Sequence, residues 1–68
     1  MYVIYDHPRD YPDCFVVRKW EIAGEVGKPT NIFNTAPSLE EARKLVPPFF
    51  HQIDRHEADD PAIVEVWL

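Results

Sequence analysis

The chain has 68 residues, is 46% hydrophobic and carries twelve acidic residues against seven basic ones, for a formal net charge of −5. Domains rarely fall below about 50 residues, so two are excluded, and a chain this apolar is not disordered. A domain of about 60 residues buries only about 60% of the surface its unfolded form exposes, which leaves room for one helix layer against one sheet and argues against a deep, multi-part active site.

Tyr2 to Asp6 is a β-branched and aromatic run, and Cys14 to Ile22 is a longer one, which predicts two antiparallel strands. The intervening His7-Pro8-Arg9-Asp10-Tyr11-Pro12-Asp13 cannot continue a central strand and reads as a rigid connecting loop. In the second run the alternation places Val16, Trp20 and Ile22 against the core and leaves Lys19 and Glu21 to water. Gly24, Gly27 and Pro29 mark Ala23 to Thr30 as a loop, followed by a short third strand at Asn31 to Asn34.

Ser38-Leu39-Glu40-Glu41 has the form of a capping box, in which Ser38 accepts from an exposed amide and Glu41 reaches back. At 100° per residue, Leu39, Ala42, Leu45 and Val46 fall in one apolar sector, with Glu40, Glu41, Arg43 and Lys44 opposite. Pro47-Pro48 ends this short amphipathic helix. Phe49 to Asp54 reads as a fourth strand, Arg55 to Pro61 as a polar loop and Ala62 to Leu68 as the last strand. Its even face, Ala62, Val64, Val66 and Leu68, is expected under the helix, with Ile63, Glu65 and Trp67 on the open face. There are no internal repeats. The predicted fold class is α+β: a small antiparallel or mixed sheet of four to five strands with one short amphipathic helix on one face.

The charge balance disfavours direct binding to a phosphate backbone. Arg9, Arg18, Lys19, Lys28, Arg43, Lys44 and Arg55 are dispersed, so no polybasic membrane segment exists, and no apolar run approaches the roughly 18 residues of a membrane span. The first residues are strand-like rather than a charged and then apolar leader. Cys14 is the only cysteine, so no intrachain disulfide can form, and a cytoplasmic, reducing setting is expected.

Two clusters, one cysteine and one glycine-containing segment bear on chemistry. His51, Asp54, His56, Glu57, Asp59 and Asp60 gather imidazole and carboxylate groups of the kind that bind zinc, but match no ligand template. The second reading of the segment is a solvated turn, with Asp59-Asp60-Pro61 as its turn chemistry. Asp6, His7, Asp10 and Asp13 offer acid-base groups on a loop stiffened by Pro8 and Pro12, without an identifiable nucleophile or oxyanion donor. Cys14 opens an apolar run, where a thiol packs as a small hydrophobe. Gly24-Glu25-Val26-Gly27-Lys28-Pro29 lacks phosphate-loop spacing, and no cofactor is expected.

The acids are concentrated late in the chain, where Asp54, Glu57, Asp59, Asp60 and Glu65 outweigh Arg55. With Glu40 and Glu41 they form a surface suited to a basic groove on another protein, or one that only keeps the chain soluble. Trp67, on the predicted open face, is a candidate apolar anchor for a partner or for a second copy of the chain.

Tyr5-Asp6-His7-Pro8, Phe15-Val16-Val17-Arg18-Lys19-Trp20, Ser38-Leu39-Glu40-Glu41-Ala42-Arg43 and Asp59-Asp60-Pro61-Ala62-Ile63-Val64-Glu65-Val66-Trp67 together resemble a group of short uncharacterised bacterial and prophage-type proteins. The resemblance covers most of the chain and implies a phage or mobile-element setting without supplying an activity. The leading expectation is a non-enzymatic protein-binding module, a phage-encoded acidic inhibitor of a nucleic-acid-handling host defence protein. Its contacts are Glu40, Glu41, Glu57, Asp59 and Asp60, with Trp67 as anchor. The alternatives are a small metal-dependent or acid-base enzyme using His51, Asp54 and His56, and a structural homodimer.

Overall fold

Short runs of β-branched and aromatic residues separated by proline-rich turns favour strands over helices, and strands dominate. The computed structural model describes residues 1–24, 26–53 and 61–68. In chain order these form β1 (Tyr2–Asp6), β2 (Phe15–Ala23), β3 (Val26–Ala36), α1 (Leu39–Lys44), β4 (Gln52–Ile53) and β5 (Ile63–Trp67). The strands make one five-stranded sheet in the order β3-β2-β1-β5-β4, and every neighbouring pair is antiparallel.

Central β1 is buried on both faces. Val3 and Ile4 are consecutive, point to opposite sides, and are 2% and 0% exposed. On the helix side, Ile4, Val17 and Ala36 lie against Ala42 and Val46, with Tyr2, Phe15, Leu39, Phe50, Val64 and Trp67 packed around them. On the other side Val3, Ile63 and Val66 form a second cluster with Met1, Tyr5 and Trp20. A strand buried on both faces reads as a continuous apolar run, as Tyr2-Val3-Ile4-Tyr5 does. Val16 is buried as expected, and Trp20 is half-buried in the second cluster, but Ile22 is exposed. The cause is length: β1 pairs with β2 only as far as Tyr2 opposite Lys19, so Ile22 lies on a hairpin extending past the neighbouring strand.

The segment read as a loop from Ala23 to Thr30 instead turns at Gly24 and enters β3. Gly24 has φ +64, which a residue with a Cβ adopts at a cost. Pro29 is tolerated because β3 is an edge strand, where the missing N–H need not face a partner. An irregularity follows it, since Arg18 pairs with Phe33 but Trp20 with Pro29. Thr30 Oγ1 stitches this bulge by donating to the Lys19 carbonyl at 2.7 Å and accepting from Ile32 N–H at 3.1 Å. Bulge and proline together make the edge a poor template for further strand pairing.

Helix α1 starts as the capping pattern predicts. Ser38 is extended (φ −145) and its Oγ accepts from Glu41 N–H at 3.2 Å. The other half of the capping box does not form: the Glu41 carboxylate accepts from Lys44 Nζ at 3.1 Å rather than reaching back to Ser38. Ala42 and Val46 reach the core, whereas Leu45, expected beside them, is 42% exposed. Leu45 is the C-cap, so the helical period has ended before it can direct that side chain inward. The following prolines form a turn closed by Phe50 N–H to Pro47 O at 3.2 Å, so β4, predicted from Phe49, begins only at Gln52 and is described as Gln52–Ile53, Asp54 lying outside the described residues. His51 and Leu68 continue the pairing by exchanging backbone hydrogen bonds of 2.9 and 2.8 Å.

The face assignment of β5 holds for Ile63 and Val64 but is reversed from Glu65 to Trp67. Ile4 lies opposite Glu65 while Tyr5 lies opposite Ile63, leaving Val64 as the extra residue of a bulge. Val64 and Trp67 therefore join the helix-side cluster, and Ile63 and Val66 the second one. Glu65 also faces the helix, where its carboxylate meets Arg43.

Candidate interaction surface

Of the acidic positions singled out in the sequence, Glu40 and Glu41 are exposed on α1. Glu57, Asp59 and Asp60 lie outside the described residues, as do Asp54 and His56 of the imidazole-carboxylate cluster. His51 is exposed and held through its backbone to Leu68. Among the described residues no group of three or more His, Cys, Asp and Glu side chains is placed to hold a metal.

The β1–β2 loop is rigid, for local reasons. Tyr11 N–H donates to Pro8 O at 2.9 Å, Cys14 N–H to Tyr11 O at 3.4 Å and His7 N–H to Cys14 O at 3.0 Å. His7 takes a positive φ of 48, its Nδ1 contacts Asp6 Oδ1, and its ring meets Phe15 edge-on at 5.1 Å. Both partners of the Asp6–His7 pair are nearly half exposed, so this pair is an open surface contact. Cys14 is half-buried, with Sγ 4.0 Å from Tyr11 O.

Trp67 does not stand on an open face. It packs into the helix-side cluster, and its Nε1–H donates to Glu65 Oε1 at 3.1 Å. Glu65, only 4% exposed, also accepts from Arg43 Nε, at 3.1 Å on Oε1 and 2.9 Å on Oε2, and from Arg43 Nη2. The forked guanidinium and the indole thus satisfy a carboxylate that would otherwise be costly to bury. Hydrogen bonding to Glu65, and then its charge, holds the Arg43 guanidinium above its ordinary value. Arg43 is exposed, as its place on the solvated helix face predicts, and in addition its guanidinium clamps α1 to β5.

Two features went unnoticed in the sequence. Phe49 is 88% exposed, because its neighbour Phe50 occupies the inward position, meeting Tyr2 edge-on at 5.0 Å. The proline pair and the Pro47–Phe50 turn hold Phe49 out, four residues after exposed Leu45 and past the basic last turn of α1. The adjacent prolines were the available signal.

The second feature is a cavity of about 810 Å³ on the sheet face opposite α1, whose lining includes Tyr5, Arg9, Asp10, Tyr11, Val16 and Arg18. The rigid β1–β2 loop forms one wall and Pro29 and Pro61 lie at others. No protein family, curated protein or solved structure matches the chain. Among the described residues no helix is long and apolar enough to cross a membrane.

Proposed function

We propose that the protein is a non-enzymatic protein-binding module, a phage-encoded acidic inhibitor that occupies the nucleic-acid-binding groove of a host defence protein. The observation that carries this reading is the outward-held Phe49, 88% exposed on the Pro47–Phe50 turn that follows α1, whose far end opens with exposed Glu40 and Glu41. An aromatic ring exposed on a stiff turn loses little entropy on binding and is a typical anchor residue. The net charge of −5 supplies attraction to a basic groove and speeds encounter with it. Phe49 takes the anchor role first assigned to Trp67, whose indole N–H is already engaged by Glu65. Glu40, Glu41, Glu57, Asp59 and Asp60 are the acidic contacts of this proposal.

The test is capture from nuclease-treated bacterial lysate, followed by reconstitution with the purified partner. A nucleic-acid-binding protein that loses its nucleic acid when the wild-type chain is added is the expected result. Phe49→Ala and Asp59→Ala plus Asp60→Ala should weaken it, as should salt. Binding indifferent to all three changes refutes the proposal, and light scattering that finds a dimer dissociated by Phe49→Ala reassigns the turn to self-association.

A further inference from the structure

The cavity opposite α1 has an unusual charge. Arg9 and Arg18 both line it, in a chain where acids outnumber bases. The ion pairs among the described residues are Asp6–His7, Glu41–Lys44 and Glu65–Arg43, so neither cavity arginine forms a direct ion pair with a described carboxylate, and Asp10 on the same lining offsets one of their two charges. Arg18 is nevertheless held in position: Nη1 donates to Thr30 O at 3.0 Å and the guanidinium lies 4.8 Å from the Phe33 ring centroid. The aromatic walls are fixed as well. Tyr5 OH accepts from Trp20 Nε1–H at 3.2 Å, and the Tyr11 ring packs on Phe33 at 5.4 Å.

We infer that this cavity is a binding site for a phosphate monoester carrying a planar ring and hydroxyl groups, of the nucleoside monophosphate class. A guanidinium presents five donors in a planar fork suited to phosphate, and Arg18 spends one of them on Thr30. Tyr5 and Tyr11 supply aromatic surface for the ring. Asp10, on the same lining, is placed to accept from ligand hydroxyls, a contact that the sugar of the ester adds to the phosphate contacts of the arginines. The volume of about 810 Å³ lies within the roughly 300–1,000 Å³ of small-molecule sites. The site is independent of the Phe49 surface, so either assignment can fail without the other.

The probes are AMP, adenosine and inorganic phosphate, titrated separately into the intact isotope-labelled chain and followed by amide chemical shifts. Saturable shifts at Tyr5, Tyr11 and Arg18 are expected with AMP, and affinities about tenfold or more weaker with adenosine or phosphate. Arg9→Gln, at an exposed loop position, should weaken AMP about tenfold or more, the scale of one charge-assisted hydrogen bond. Arg18→Lys should do likewise with an otherwise unchanged spectrum, and Lys28→Gln should have no effect. Absence of saturation at millimolar AMP overturns the site. Equal affinity for adenosine overturns the role of the arginines, equal affinity for phosphate overturns the nucleotide assignment, and equal loss in Lys28→Gln reduces the effect to non-specific charge.

Discussion

Two buried valines on opposite faces of the sheet test whether both faces are core. Val17 is 3% exposed in the helix-side cluster and Val3 is 2% exposed in the second cluster. Replacing each by threonine keeps the shape and exchanges one methyl for a hydroxyl, at a cost of about 1–3 kcal/mol when the hydroxyl gains no partner. A 68-residue domain has roughly 3–10 kcal/mol of total stability at the usual 0.05–0.15 kcal/mol per residue, so either change is a large fraction of it. Each kcal/mol moves the melting temperature of a domain this size by about 4–8 °C. Val17→Thr and Val3→Thr should therefore each lower Tm by roughly 4 to 24 °C, and shift the urea midpoint at constant slope. Val26→Thr, at a position 59% exposed, should stay within about 0.5 kcal/mol of wild type. If Val3→Thr behaves like Val26→Thr while Val17→Thr does not, the face opposite α1 is not a core layer and the reasoning fails.

Further expectations concern single contacts. Gly24→Ala should cost about 1–2 kcal/mol through its positive φ alone, since no atom lies within 4 Å of the added Cβ, and Gly24→Asn less; equal denaturation curves for all three would contradict this. Ser38→Ala should cost about 1 kcal/mol by loss of the cap to Glu41 N–H, read by urea denaturation. Arg43→Met should lower Tm more than the double change Arg43→Met plus Glu65→Leu, because the single change strands a buried carboxylate and the double one removes it. The opposite order would show that Glu65 is not a stranded charge without Arg43, and a double variant less stable than wild type would show that the clamp is a net source of stability. Phe49→Ala should leave Tm unchanged while costing about 2 kcal/mol or more in partner affinity, measured by calorimetry with the purified partner.

Local chemistry made several elements legible. The β1 run, the Ser38 cap, the Pro47-Pro48 stop and the rigid loop after Asp6 each depend on a few neighbouring residues, and each lies where the sequence places it. Gly27 and Pro29 misled, because the meaning of proline in a strand depends on whether that strand is an edge, which pairing alone decides. Leu45 misled because one residue past the helix end the period no longer sets direction.

The larger reversals came from the register. A bulge at Val64 and a helix bearing Arg43 bring Glu65 inward and Trp67 with it, although a carboxylate in a strand ordinarily marks the solvent face. Nothing local to Ile63-Val64-Glu65-Val66-Trp67 says that a cation from Arg43, 22 positions away, will satisfy that carboxylate. The same holds for the cavity, where Arg9 and Arg18 meet only because β1 and β2 pair and the intervening loop folds back over their sheet face. Composition and local pattern thus determined an acidic α+β sheet with one capped helix, because propensity, capping and proline act over a few residues. Which side of each strand is buried, which charge is paired and which aromatic stands in water depend on pairing between distant segments, and the tertiary structure alone decided them.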